Sequence, residues 1–276
     1  MTAEYDLSVG PAFAVETDLT GVLDLERLDR DLFRGRHDID ARNRFSLFGG
    51  QVAAQALMAA GRTVESGRNP HSLHGYFLRR GRPDRAVLLQ VDRDRDGRSF
   101  SARHVAAVQD GEVIFSMLAS FHVDEEGAAF DGVPKELAPV PDDAPQRWSR
   151  LLDVREVTPT QLDAGDRTFT DCLWIRAAQP LPDDRLSQAA ALTYISDLGS
   201  GFGQLRVPGL PAGGPSIDHA VWFHTPTRAD AWLQLRMWPM KAGGGRGVYT
   251  GALRNAGGEL AATLAQEMLL RHEFPR

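Results

Sequence analysis

Two polar residues, Asp197 and Gln266, stand where an apolar core would be expected, and with Ser216 their side chains form a chemically coherent set. Asp197 lies at the C-terminal end of the stretch LSQAAALTYISDLGSGFGQ, Leu186 to Gln204, which reads as a helix released by glycines. A carboxylate there opposes the partial negative charge of the helix end, at a cost of a few tenths to about 1 kcal/mol. Helix stability therefore does not explain the residue, although an ordinary surface Asp before a Gly stop would look the same. Ser216 opens the strand-like SIDHAVWFH, and Gln266 lies in the strand-like ELAATLAQEMLLRHE. Carboxylate, hydroxyl and carboxamide together can hold and activate a water, with Asp197 as general base and Ser216 and Gln266 fixing the water's position. Such a group suits hydrolysis of an activated carbonyl, a thioester better than an amide. Backbone N–H groups at Gly49 and Gly50, at a helix start, are candidates for binding the oxyanion.

An internal comparison isolates these residues. The halves of the chain overlay with His74 on His219, Gly111-Glu112-Val113 on Gly258-Glu259-Leu260, and Gln51 on Gln188. Asp197 then falls on Ala60 and Gln266 on Ala119, while Ser216 falls near His71 and Ser72. Burying Asp or Gln without partners costs several kcal/mol. Mutual partnership at one asymmetric site is the economical explanation.

The elements that must position the set follow from the pattern. Met1 to Pro11 reads as a loose terminus, and Ala12 to Val22 carries β-type and turn residues. The piece from Leu23 to Phe33 fits helix and strand spacing equally, and a short segment then ends at Arg44. Phe48 to Val64, FGGQVAAQALMAAGRTV, reads as a helix apolar and small nearly all round, hence buried. Strand-like runs follow at His71–Arg79, Ala86–Gly97, Arg98–Gln109 and Glu112–Val123, with Asp-Gly turns at Asp96-Gly97 and Asp110-Gly111. Asp124 to Gln146 is acidic, carries four prolines and reads as a linker. The second half restarts with WSRLLDVREVTP and FTDCLWIRAA, then the helix opened by Pro182-Asp183-Asp184, then four more strands. One helix with a mostly antiparallel sheet in each half is an α+β pattern, duplicated. The expected units are residues 12–123, a linker at 124–146, and residues 147–272.

Composition narrows the function classes. The 276 residues are 42% hydrophobic and 25% charged, so apolar material for a core is ample. A net charge of −6 offers no global basic field for nucleic acid. No apolar run approaches the length of a membrane span, and the acidic N-terminus lacks a signal-peptide pattern. The single cysteine, Cys172, makes no internal disulfide and reads as a packed core thiol, so the cytoplasm is the expected location. The eight histidines show no metal-ligand spacing. Ser216, Asp218 and His219 do not make a serine-hydrolase triad, because no G-x-S-x-G elbow exists. Gly243 to Gly247 lacks a strand-to-helix setting and reads as a hairpin, not a dinucleotide loop. Arg79, Arg80, Arg82, Arg98 and Arg103 form a local basic concentration, read as solvated strand ends or as a site for CoA phosphates.

FGGQVAAQAL, HSLHGYFLRRG, RDGRSFSARHVAAVQDGEVIFSMLASFH and SIDHAVWFH resemble the acyl-CoA thioesterase II family, the double-hotdog thioesterases. The similarity runs from about Leu23 to Arg271 and weakens in the acidic linker. It implies two fused hotdog domains, each a sheet wrapped around a long helix, and hydrolysis of fatty acyl-CoA to fatty acid and CoA, a step in lipid metabolism. It implies no metal or other cofactor, CoA being part of the substrate. It places the catalytic Asp at Asp197 and the catalytic Gln at Gln266. Where the family has Thr, this chain has Ser216, which keeps the hydroxyl. A homo-oligomer is implied as well, since hotdog sheets often continue across subunits. Two other readings share the pocket: a non-catalytic acyl-CoA binder, and a hotdog enoyl-CoA hydratase. The hydratase needs a paired Asp and His, and no Asp-x4-His element stands near either helix.

Overall fold

The computed structural model describes residues 18–36, 46–135, 137–141, 146–147, 150–157, 171–203, 209, 211 and 213–271. The terminus before Asp18, the segment ending at Arg44 and the end of the glycine-rich release at Gln204 lie outside them.

One antiparallel sheet of thirteen strands carries the described structure. Its spatial order is β1 (Glu26–Asp29), β2 (Leu32–Arg34), β4 (Leu88–Asp96), β5 (Phe100–Gln109), β6 (Glu112–Val123), β3 (Arg68–Phe77), β10 (Asp218–Phe223), β13 (Leu260–Leu269), β12 (Arg246–Asn255), β11 (Leu233–Gly243), β9 (Asp171–Ala177), β8 (Leu152–Glu156) and β7 (Gln146–Arg147). Three helices complete it: α1 (Leu19–Leu23), α2 (Gly49–Gly61) and α3 (Arg185–Ser196). The expected strand order repeats. In the first half β4, β5 and β6 are successive neighbours with β3 beyond them, and β11, β12, β13 and β10 follow the same order in the second.

The sheets of the two halves are joined into one. β3 pairs with β10, His219 opposite Gly75 and Val221 opposite Leu73. An unpaired strand edge presents rows of open backbone donors and acceptors, and this pairing removes one from each half. Asp110 at φ 50° and Gly111 at φ 80° make the β5–β6 turn, the left-handed pair a tight hairpin needs.

Helices α2 and α3 are buried on every side, Gly50 through Ala60 and Ser187 through Ser196. Ala, Leu and Met supply the propensity, and the small side chains let the two helices lie side by side under the sheet. The caps differ. Asp184 accepts from the Ser187 N–H at the start of α3 (2.8 Å), whereas Phe48 before α2 gives no side-chain cap.

Three expectations change. The Ala12–Val22 stretch read as β-type ends in a helix, because the Asp18 carboxylate accepts from the Gly21 N–H (2.7 Å) and caps α1. The overlay of His74 on His219 has the wrong pleat parity. His74 is exposed on the outer face, edge-on to Trp222 with ring centroids 4.9 Å apart, while His219 is buried facing the helices. Strand side chains alternate faces, so a one-residue slip exchanges inside for outside. Ala119 and Gln266 do share the inward face.

The acidic segment after β6 is the third. It is docked rather than slack. Buried Arg254 binds both Asp131 carboxylate oxygens (2.8 and 3.0 Å) and the carbonyls of Val133 and Pro134. The Ala138 carbonyl accepts from Trp174 Nε1 and Gln234 Nε2, 3.2 Å each. Ala138, Val157, Cys172 and Trp174 form a second small core under the segment, with Cys172 a packed thiol as expected. The Arg254 guanidinium holds the Asp131 carboxyl down at about 2. A depressed carboxylate contributes stability above its unfolded pKa near 3.8, and that contribution is lost as pH falls toward 2. Arg254→Met should therefore free the segment at neutral pH. Limited proteolysis should then cut between residues 124 and 141 faster than in the parent, with β-sheet circular dichroism unchanged. The parent itself should show the same sensitivity only below about pH 3.

Candidate active site

The site forms where two helix ends of opposite polarity meet. Asp197 is the C-cap of α3, and its carboxylate lies against the start of α2, accepting a hydrogen bond from the Gly50 N–H. The partial positive charge of the α2 N-terminus thus offsets the unfavourable position Asp197 has on its own helix. Close approach explains the glycine pair. A Cβ on Gly49 would stand 2.7 Å from Asp197 Oδ2, and one on Gly50 would stand 2.6 Å from the Tyr194 carbonyl oxygen and from the Phe48 ring. The Phe48 and Tyr194 rings pack edge to face across the junction at 4.9 Å.

The expected partners are in place. Gln266 Nε2 donates to Asp197 Oδ1 at 2.8 Å and also to Ser216 Oγ. Ser216 Oγ lies 3.4 Å from the same Asp197 oxygen. Gln266 reaches them from the inward face of β13. Ser216 is held beside it by a backbone bridge to Met268, with Ile217 N–H donating to the Glu267 carbonyl. The two residues that fell on alanines in the overlay, Asp197 and Gln266, are therefore one hydrogen-bonded cluster with Ser216. At the mirror positions Ala60 and Ala119 offer nothing comparable.

His219 is the member that sequence reasoning missed. It is fully buried on β10, with Nδ1 2.5 Å from Gln266 Oε1 and Nε2 2.8 Å from Ser196 Oγ. Both ring nitrogens are engaged away from Ser216, which is why no serine-hydrolase triad forms. A parity count on SIDHAVWF, with Val221 inward, was the available signal.

Burial pushes the Asp197 carboxyl above the usual carboxylate range, and His219, Gln266, the Gly50 N–H and Ser216 pull the other way without prevailing. Burial likewise draws the His219 imidazole below its usual range. A carboxylate with a raised pKa is a better base than a solvated one.

The cluster opens into a cavity of about 610 Å³ lined by Leu47, Phe48, Phe77 and Ile114, with Asp197 and Ser216 at its polar end. Of the five arginines in the basic concentration, Arg79 and Arg80 line this cavity. Arg79 also pairs with Glu112 at 2.8 Å, and Arg82 pairs with Asp84 at 3.0 Å. Arg103 is not a surface group. It is buried and bound to Thr63 and Asp96, so its charge is spent inside the first half. The Gly50 N–H, expected to bind an oxyanion, is directed at Asp197 instead. Among the described residues no His, Cys, Asp and Glu cluster has the geometry to hold a metal, and no helix is long and apolar enough to cross a membrane.

Comparison with known proteins fits this geometry. The acyl-CoA thioesterase N-terminal domain matches residues 39–122, and the acyl-CoA thioesterase C-terminal domain matches residues 134–270. The chain belongs to the acyl-CoA thioesterase family. Human acyl-coenzyme A thioesterase 8 is 35% identical over 92% of this chain and 88% of its own length. The crystal structure of an acyl-CoA thioesterase II from Mycobacterium marinum superposes with a TM-score of 0.79 at 38% identity, covering 92% of this chain and 98% of that one. A hot dog fold protein from Alicyclobacillus acidocaldarius, at 21% identity, has a TM-score of 0.73 over 92% of this chain and 98% of its own, so the fold is hotdog-like.

Gly50 tests the junction. Gly50→Ala forces a methyl group onto the Tyr194 carbonyl and Phe48 ring, and overpacking of this kind costs about 1–3 kcal/mol. Urea denaturation should show a loss in that range, larger than the loss from an Ala→Gly change elsewhere in α2.

Proposed function

We propose that this chain hydrolyses fatty acyl-CoA thioesters to free fatty acid and CoA by direct attack of water. The observation that carries the reading is the hydrogen-bonded Asp197–Ser216–Gln266 cluster, whose Asp197 and Ser216 line a cavity that also holds apolar walls and two arginines. The family's relatives, named acyl-CoA thioesterases, support the substrate class.

In the reaction, Asp197 takes a proton from a water held by Ser216 Oγ and the cluster. The water oxygen bonds to the thioester carbonyl carbon, giving a tetrahedral oxyanion. The C–S bond then breaks, and the CoA sulfur leaves with the proton that Asp197 acquired. Atoms balance as thioester plus water giving acid plus thiol, with no covalent enzyme intermediate. The apolar walls of Phe48, Phe77 and Ile114 receive the acyl chain, and Arg79 and Arg80 receive phosphates of CoA. In this reading residues 12–123 and 147–272 are two fused hotdog domains around α2 and α3, joined by the segment at 124–146, with one active site built mainly from the second. Ser216 takes the part that Thr has in the family.

Asp197→Asn should cut kcat about 10²–10⁴-fold, the range for losing a general base. A raised carboxyl pKa means the folded state loses stability as pH rises through it, because the unfolded state then binds fewer protons. Removing the charge should leave the melting temperature at neutral pH unchanged or higher. Turnover in the parent should fall on the acid side with a midpoint above 3.8, and that limb should vanish in the variant. Thiol release assayed with acyl-CoA of several chain lengths decides the matter; near-parent activity in Asp197→Asn would sink the mechanism.

The chain acts in this proposal as a cytoplasmic homo-oligomer. The support is the outer face of the central strands, where Tyr76, Leu118 and Trp222 are 57%, 50% and 37% exposed beside His74. Large apolar side chains grouped in solvent mark an association surface. Leu118→Asp should lower the mass measured by light scattering to that of one chain, 30.3 kDa. An unchanged mass rules this face out as the interface.

A further inference from the structure

Building on the hydrolytic reading of the Asp197 site, we infer that His219 is the positioning residue for Gln266: its Nδ1–H, donated to Gln266 Oε1, decides which end of the carboxamide faces Asp197. The donor count forces this arrangement. Asp197 in its working form is a carboxylate and can only accept, so Gln266 must present Nε2 to it, as it does at 2.8 Å. The second Nε2 proton goes to Ser216 Oγ. Gln266 Oε1 then points away from the reacting end and needs a donor. Among the described residues the partner at that oxygen is His219 Nδ1, 2.5 Å away. A carboxamide has two ends of nearly equal shape, so packing alone cannot choose between them. A buried donor at the oxygen end can, because the flipped amide would set N–H against N–H there and oxygen against the Asp197 carboxylate.

The other ring nitrogen is consistent with this assignment. Neutral imidazole has one N–H, and with it on Nδ1, Nε2 must accept. Ser196 Oγ, 2.8 Å away, supplies that proton, which it would otherwise give to the Thr193 carbonyl at 2.9 Å. Ser196 sits one residue before Asp197 on the last turn of α3, so the relay runs from α3 through β10 to β13 and back to Asp197. Burial of His219 and its lowered pKa keep the ring in the neutral form this count requires.

Nitrogen-15 histidine labelling of the full chain reads the tautomer directly and needs no substrate. His219 should appear near neutral pH as a neutral ring protonated on Nδ1. A ring protonated on Nε2 alone would overturn the inference. Kinetics with acyl-CoA provide a second arm. An asparagine amide at 219 reaches the place of Nδ1, and a glutamine amide reaches the place of Nε2. His219→Asn should keep kcat within about fivefold of the parent, while His219→Gln and His219→Ala should lose about 10–100-fold in kcat with KM changed less than about threefold, the scale set by misplacing a catalytic group. A purely structural role predicts equal losses in all three, or a smaller loss in His219→Gln, which retains the Ser196 contact; either pattern refutes the assignment. Failure of the hydrolytic reading looks different. Asp197→Asn would then stay active while His219 still shows the Nδ1–H tautomer.

Discussion

The meeting of the α2 N-terminus with the α3 C-cap is the constraint around which the molecule is arranged. Two helix ends of opposite dipole sign approach closely enough that the Gly50 N–H donates to Asp197. That contact needs glycine at two successive positions and small residues along both helices. Without it Asp197 would be a buried carboxylate at the wrong end of its own helix, at a cost of several kcal/mol. With it the carboxylate is retained in a place where burial still raises its pKa. The basicity comes from the withdrawal of the charge from water, and the α2 N-terminus offsets the unfavourable place the carboxylate has on its own helix.

The sheet completes the arrangement by delivering the other groups from one region. β10 is central, flanked by β3 on one side and β13 on the other. It carries Ser216 just before its start and His219 on its inward face, and β13 carries Gln266 beside them. Fusing the halves into one sheet places this corner in the interior, where side-chain rotamers are held by packing. The halves share strand order but not polar content. Ala60 and Ala119 occupy the mirror positions of Asp197 and Gln266 at no cost, so a carboxylate–carboxamide pair is buried at this corner only in the second half.

The segment after β6 illustrates how an acidic, proline-rich stretch becomes structure. Its composition is that of a linker, yet one buried arginine and two side-chain donors on the second half fix its carbonyls. Such docking depends on what the far end of the chain presents. Arg254 lies more than a hundred residues downstream, and nothing local to the segment announces it.

Much of the architecture was legible because it rests on local chemistry. Alternation of apolar and polar residues marked the long strands, Asp110-Gly111 marked a hairpin, and alanine-rich, uncharged stretches marked α2 and α3 as buried helices. The internal overlay also pointed to Asp197 and Gln266, since unpartnered polar residues are rare in buried positions, and the family resemblance pointed to Ser216 with them. Short elements were not legible. Leu19–Leu23 became helix through a single Asp18 cap, too small a signal beside its β-type neighbours. Parity failed at His74 and His219, because one residue of slip is invisible in an overlay and decisive in a pleated strand. What only the tertiary structure decided was direction and partnership: the Gly50 N–H turned toward Asp197, Arg103 turned inward, and His219 set beside Gln266. Residue type and spacing determine which groups are available and on which element. Which of them meet is settled by packing between elements distant in sequence, where a hydrogen bond forms or fails over a few tenths of an ångström.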